Sequence, residues 1–487
     1  MRFRRLSAAA VCLTAIGGVL AGVAIWDLSV AGVAPIDVVL LFAGGVLLAL
    51  SATAATQVQV NIVLVVLSSL GTLSLVEVGL RMSDAYQRLS GDYNFDMNTQ
   101  FHHSYRHYQS GIRHPNVFDD FPPIVFEVNS LGMRGPEPES RPNTVLILGD
   151  SYIQAIQVDF RDTVGHVLQS MLKDKGLDIA VISQGVGSWS PLLEWNWYLK
   201  VGRRFRPQEV IVFTGYNDYD PYYRFSDTYY LESVNFDAQG RPESFRLPNF
   251  SSFAHRWLRE LQTTMFLRFA WLRLKALWSH DEVQTLAGPY AFGKSLSDDE
   301  AKALIRRQLG DRPFLGASAI ENLLALPEPA FEAQLDAFQI REAWARGFWR
   351  LQRPLRLWPE AQRAAVERSE TILRRFAEDV ARDGGKLVLV YVPAPYQVGP
   401  RECALGRYHY GTEDGVVVPA TSGMQEWLAM RSAQIGIAFL DPTESMRRAT
   451  IEDSAGPFYT RYDCHWSKAG HRHMAALLFE RLSSVNH

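Results

Sequence analysis

The chain has 487 residues, a formal net charge of -3 and 47% hydrophobic residues. That length supports one or two domains with a substantial core, and a near-neutral charge without a long basic run argues against nucleic acid as a partner. Three cysteines, Cys12, Cys403 and Cys464, form no C-x-x-C pair, which excludes a zinc ribbon or a thioredoxin-type motif.

The apolar runs are concentrated at the start. Leu6–Trp26, Val38–Ala55 and Ile62–Leu80 are each long enough to read as membrane spans. Arg2, Arg4 and Arg5 precede the first span, whereas Asp27–Asp37 and Thr56–Asn61 carry no Lys or Arg. Arg81 and Arg88 after the third span compete weakly, so the N-terminus is expected in the cytoplasm. Three crossings then leave residues 82–487 outside, and cleavage of the first span as a signal peptide would not change that side. The expected location is the inner (cytoplasmic) membrane, multi-pass, with the large domain periplasmic.

Residues 82–140 are polar and aromatic with little regular period, and read as an extracytoplasmic stalk. His102, His103, His107 and His114 lie there without a carboxylate at ligand spacing, so surface or packing roles are expected rather than a metal site. The pattern changes at Val145. Val145–Leu148, Ile179–Ile182 and Val210–Phe213 are short apolar, β-branched runs, and the stretch between the first two carries a helical stripe over Val164–Lys175. Strand, helix, strand, helix, strand with short connections predicts a parallel sheet with right-handed crossovers.

The alternation stops over about 222–360, which reads as a large helical insertion. Within it His255–Trp278 interleaves Arg and Lys with Trp, Phe and Leu. A helix covering the domain's own core is the favoured reading there, with contact to an anionic membrane surface as the alternative. The pattern resumes with a helix over Val366–Ala381, a strand at Lys386–Val392, a helix over Met424–Gln434 and a last strand at Ile437–Leu440. The expected domains are a 1–81 anchor, the 82–140 stalk and a 141–487 catalytic domain carrying the insertion.

Three of these strands end in polar loops: Gly149-Asp150-Ser151, the Gly185-Val186-Gly187-Ser188 turn, and Gly215-Tyr216-Asn217-Asp218. A parallel sheet gathers the C-terminal ends of its strands at one edge, so the loops converge. Asp463-Cys464-His465-Trp466 adds a carboxylate and an imidazole ahead of the final helix. Acyl transfer by a serine needs this set: a hydroxyl, an imidazole to take its proton, a carboxylate to orient the imidazole, and donors for the oxyanion. The Ser151 N–H, an N–H at Gly187 or Ser188 and the Asn217 amide are candidate donors. Cys403 and Cys464 are the only cysteines of the extracytoplasmic part, and both fall near this edge. A disulfide between them is one reading, and two unpaired thiols the other.

G-D-S at 149–151, the glycine turn at 185–187, G-x-N-D at 215–218 and the terminal D-x-H resemble, in that order, the SGNH (GDSL-type) hydrolase superfamily. The resemblance covers about 141–222 and 363–482. It implies an α/β, flavodoxin-like parallel sheet with helices on both faces. It also implies Ser151 as nucleophile, His465 as general base, Asp463 as its orienting acid and Asn217 as oxyanion donor, with no cofactor and no metal. Two positions depart from the superfamily pattern. The ending is D-x-H rather than D-x-x-H, with Tyr462 where the usual Asp would stand, and the D-x-H-W-S form resembles the alginate O-acetyltransferase-like branch. Ser188 stands where the second block usually has glycine, which leaves Gly187 and Ser188 both open as the donor.

The resulting expectation is a membrane-anchored serine esterase or O-acyltransferase. Its substrate is an acylated glycan or small acyl ester outside the cytoplasm, and its partner a membrane acyl-donor protein. A catalytically silent, glycan-binding component of a polysaccharide modification or export system is the alternative.

Overall fold

A computed structural model describes residues 7–30, 35–53, 55–83, 95–98, 100–105, 110–113, 118–119, 121–139, 141–220, 227–246, 296–419, 421–452 and 456–485. The chain divides into two compact units: Met1–Asp92 with Leu247–His280, and Tyr93–Arg246 with Asp281–His487. The stretch His255–Trp278 lies outside the described residues.

In the first unit three apolar segments form helices, Ala8–Val30, Pro35–Thr53 and Thr56–Ser83. The first two approach closely where Gly17 faces Gly44, because a Cβ on either glycine would meet the other's carbonyl oxygen at under 3 Å. Polar side chains tie the bundle: Thr14 donates to Ser51 at 3.0 Å, and Gln59 Nε2 donates to the Ser51 carbonyl at 2.9 Å. Among the described residues one helix, Thr56–Leu80, is long and apolar enough to cross a membrane, and the apolar stretches Ala8–Val23 and Leu40–Thr53 are shorter. Cys12 is an exposed free thiol.

The second unit is built on five parallel strands: β1 Thr144–Gly149, β2 Ala180–Gly185, β3 Glu209–Thr214, β4 Lys386–Tyr391 and β5 Ala438–Leu440. Their spatial order is β2-β1-β3-β4-β5, the flavodoxin-like order. β1 and β3 are completely buried, as their continuous Val, Ile, Leu and Phe content requires of a sheet covered on both faces.

The two-residue period of a strand divides the core. Leu146, Leu148, Val210, Val212, Leu389 and Tyr391 face one side, under helices Pro191–Lys200, Glu360–Arg382 and Gly423–Ile435. Val145, Ile147, Ile211, Phe213, Val388 and Val390 face the other, under helices Val164–Asp174 and Lys468–Val485. The expected α/β fold is therefore present, with strand limits within three residues of the sequence reading.

The insertion is helical in its described second half: Asp298–Leu309, Ala317–Ala325, Glu328–Ala337 and Ala343–Gln352. It has its own core around Ile320, Leu323, Phe331, Leu335 and Trp349. Its first half contributes a hairpin, Val234–Phe236 with Pro242–Phe245.

The stalk expected over 82–140 requires correction. From Tyr93 onward the chain belongs to the second unit. Phe118, Ile124, Phe126, Val128 and Met133 are buried there, along with His102 and His103. Ile124, Phe126 and Val128 alternate along and just beyond one short strand, and Phe118 and Met133 enter singly from turns, so the buried run is too short to stand out in the sequence. His107 and His114 lie outside the described residues.

Candidate active site

Ser151 is placed by the abrupt end of β1. Asp150 caps a single helical turn, Ser151–Gln154, by accepting from the Tyr152 N–H at 2.9 Å. Gly185 at the end of β2 lies opposite Gly149 and packs backbone to backbone on this turn, where a Cβ would strike the Gln154 nitrogen. Arg134 closes the other end of the turn. Its guanidinium donates to the carbonyls of Gln154 at 3.1 Å and Val158 at 2.6 Å, and also to that of Ala155. The nucleophile candidate is thus fixed from both sides.

The structure brings the C-terminal pair to it. His465 Nε2 lies 2.8 Å from Ser151 Oγ, and His465 Nδ1 lies 2.9 Å from Asp463 Oδ2. A neutral imidazole donating from Nδ1 leaves Nε2 free to accept the serine proton, the arrangement a general base needs. The short D-x-H spacing works because Cys464 sits in the left-handed region at φ 62. This turns Asp463 and His465 toward each other, and Nδ1 reaches the Asp463 backbone carbonyl as well, at 3.1 Å.

Several groups hold this turn. Tyr152 Oη donates to the Cys464 carbonyl at 3.1 Å, Gln157 Nε2 donates to the Trp466 carbonyl at 2.9 Å, and the Asp463 N–H donates to Asp119 at 3.2 Å. Trp466 is fully buried, edge-on to Phe213 and Tyr152. Cys403 and Cys464 form a disulfide with Cα atoms 5.0 Å apart. Gly406 makes room for it, since a Cβ there would strike both sulfurs.

Asn217 comes from the short turn Tyr216–Asp218 after β3. Asp218 folds that turn back, accepting from the Gly215 N–H and the Thr214 hydroxyl, each at 2.8 Å. The Asn217 amide donates to Asp150 Oδ2 at 3.3 Å, and the Ser151 hydroxyl lies 3.5 Å from the same oxygen. The amide therefore stands next to the serine. The Gly187–Ser188 turn is partly exposed and follows β2, beside β1.

Residues 353–486 match the family model described as "SGNH hydrolase-like domain, acetyltransferase AlgX". That match supports the SGNH hydrolase superfamily, with its AlgX-like branch, for this C-terminal part of the chain. The matched segment contains Asp463, His465 and both bridged cysteines, while Ser151 and Asn217 lie before it.

Solved structures similar to this chain include an acetyl xylan esterase, 11% identical, with 69% of this chain and 98% of that one covered and a TM-score of 0.30. A putative GDSL-like lipase from Parabacteroides merdae is 10% identical, with 71% and 98% covered and a TM-score of 0.30. An acetyl-xylooligosaccharide esterase from Geobacillus Stearmophilus is 9% identical, with 71% and 95% covered and a TM-score of 0.29. At such TM-scores these likenesses add nothing to the family match. No curated protein matches the chain.

Electrostatics around Ser151 and His465 are dominated by carboxylates. Burial opposes a charged His465, but the charge and hydrogen bond of Asp463, with Asp150 behind, outweigh it and hold the imidazole pKa up at about 9. Asp150 is itself raised, by burial above all, against the pull of its hydrogen bonds from Tyr152 and Asn217. Burial, then the charge of Asp150, pushes Asp218 well above the carboxylate range. Among the described residues no group of His, Cys, Asp and Glu has the arrangement of a metal site.

Asp150, Tyr152, Arg134 and Asp119 escape a sequence reading as supports of this site. Their only local signal is adjacency to G-D-S for the first two, and Arg134 and Asp119 act from the segment read as a stalk.

Proposed function

We propose that this chain is a membrane-anchored serine esterase or O-acyltransferase that works through an acyl-Ser151 intermediate on acetyl or other short acyl esters of an extracytoplasmic glycan. The observation that carries the reading is the relay itself, 2.8 Å from Ser151 Oγ to His465 Nε2 and 2.9 Å from Nδ1 to Asp463. His465 takes the serine proton as Oγ attacks the ester carbonyl, and returns it to the leaving alcohol. The Ser151 N–H, the Asn217 amide and an N–H of the Gly187–Ser188 turn receive the oxyanion. Water or a sugar hydroxyl then attacks the acyl-enzyme, giving hydrolysis or transfer. A membrane acyl-donor protein would supply the ester in the second case. A silent glycan-binding role needs no imidazole aligned between a serine and a carboxylate, so the relay favours the enzyme.

The test is to incubate the purified protein with an acetylated oligosaccharide and an unacetylated acceptor. Free acetate reports hydrolysis and an acetylated acceptor reports transfer; neither product, over a range of ester substrates, would sink the reading.

The sign of the pH dependence follows from His465. Below pH 9 the resting imidazole is charged and cannot accept a proton. The account therefore expects kcat/KM to rise about tenfold per pH unit and to level off near pH 9. Initial rates on an ester stable to alkali check this, and a plateau already reached below pH 7 would contradict it.

The anchor is proposed to be three N-terminal spans with the catalytic unit outside. Thr56–Leu80 has no part of its most apolar stretch covered by protein, and Phe42 and Leu75 are each 75% exposed. Apolar surface of that extent is costly in water and favourable in a bilayer. The disulfide fits an oxidising compartment. A reporter active only outside the cytoplasm should be active when fused after residue 90 and at the C-terminus; cytoplasmic signal at either point overturns this topology.

A further inference from the structure

The turn after β2 holds a conformation that Ser188 does not favour by itself. The Trp189 N–H donates to the Val186 carbonyl at 3.0 Å, which closes a four-residue turn over Gly187 and Ser188. Ser188, in the third position, has φ 68. That is the type II pattern, in which the third residue is usually glycine. The type I alternative differs by a half-rotation of one unit, the Gly187–Ser188 peptide, and lets the third residue return to negative φ. For a residue with a Cβ the left-handed conformation is disfavoured, so something must hold the peptide in place.

Two side chains do. His103 Nε2 donates to the Gly187 carbonyl at 2.9 Å, and Tyr230 Oη donates to the Ser188 carbonyl at 2.9 Å. His103 is buried, and its Nδ1 lies 3.0 Å from Nδ1 of His102. Since His103 donates from Nε2, its Nδ1 accepts and His102 donates. Burial holds the His103 pKa down at about 4, against the upward pull of its bond to Gly187, so the ring stays neutral and the tautomer is fixed. The backbone behind it is fixed too, because Trp189 Nε1 donates to the His103 carbonyl at 3.0 Å. His102 packs edge-on against Tyr230 and Phe245.

A trans peptide points its C=O and its N–H in opposite directions. A carbonyl at Gly187 drawn toward His103 therefore sends the Ser188 N–H away from His103. Among the described residues neither the Gly187 nor the Ser188 N–H donates to a backbone carbonyl. We infer that His103 is a positioning residue for the oxyanion site: by holding the Gly187 carbonyl it keeps the turn in its type II form and aims the Ser188 N–H at the acyl group on Ser151. This rests on the reading of Ser151 as nucleophile. It also separates the two donors left open by the sequence and assigns the role to Ser188. In the flipped form the Gly187 carbonyl would face the oxyanion and repel it.

The test compares His103→Leu, His103→Gln and the double variant His103→Leu/Ser188→Gly with the parent and with Ser151→Ala, on one small acetyl ester. His103→Leu should lower kcat by roughly 10–10²-fold, below the full loss of a donor because the flipped turn is only partly populated. KM should stay within about twofold, since the ground-state ester makes little use of the donor. His103→Gln keeps an N–H donor near the Nε2 position and should recover most of the rate. Ser188→Gly removes the penalty of the left-handed form and should recover part of it in the His103→Leu background. A general loosening of the fold would be rescued by neither change.

Unchanged kcat in His103→Leu, with Ser151→Ala inactive, overturns the positioning role alone. Activity in Ser151→Ala overturns the nucleophile reading instead. If His103→Leu does not fold, His103→Asn decides. Its shorter side chain stays polar but no longer reaches the Gly187 carbonyl, and it should give the same fall in kcat at constant KM; an unchanged kcat there overturns the inference.

Discussion

Ser151→Ala is expected to remove all measurable ester turnover while the protein folds and unfolds as the parent does. The hydroxyl is the only group lost, and the turn carrying it is fixed by Asp150, Gly185 and Arg134, none of which touches Oγ strongly. The partner substitution Asp463→Asn is expected to cost roughly 10³–10⁴-fold in kcat. An amide in place of the carboxylate presents a donor to Nδ1 and favours the tautomer with its proton on Nε2, where it faces the serine. The Asp463 backbone carbonyl, 3.1 Å from Nδ1, remains as an acceptor for the productive tautomer and sets the loss toward the lower end. Initial rates with an activated acetyl ester, alongside thermal unfolding of each variant, check both. Full activity of either variant would remove that residue from the mechanism.

Breaking the Cys403–Cys464 bond is the second large effect. The bond closes a loop of 61 residues, worth about 4 kcal/mol in the chain-entropy account. Replacing both cysteines by serine should lower the denaturant midpoint accordingly. The effect on turnover should be smaller, about tenfold or less, because Trp466, Tyr152 and Gln157 still hold the turn and the oxyanion donors are untouched. Equilibrium unfolding with and without reductant is the measurement. An unchanged midpoint, or a loss of turnover as deep as that of Ser151→Ala, would contradict the account of the bond as a clamp on an otherwise supported turn.

The sheet was legible because buried parallel strands must be continuous apolar runs, and Gly149, Gly215 and Pro393 punctuate theirs. Their convergence at one edge follows from parallel topology, so Ser151, Asn217 and the Asp463–His465 pair could be named before any distance was known. The departures from the family pattern were visible as letters but not as geometry. The D-x-H spacing needed the positive φ of Cys464, and Ser188 needed two distant carbonyl clamps.

What escaped the sequence has a common cause. Arg134, Asp119 and His103 act on residues distant along the chain, from a segment whose one alternating apolar run, Ile124 to Val128, is short. Tertiary context alone gives them a role. The shortness of its strands makes residues 93–140 read as a stalk, although Phe118 and Phe126 are fully buried there.

The central claim is that Ser151 carries the acyl group. Intact-mass spectrometry of the purified protein, quenched in acid within seconds of mixing with an activated acetyl ester, tests it most directly. The account predicts an adduct of about 42 Da that maps to the Ser151 peptide and is absent from Ser151→Ala. Turnover with no adduct at Ser151, or an adduct that persists in Ser151→Ala, would contradict it.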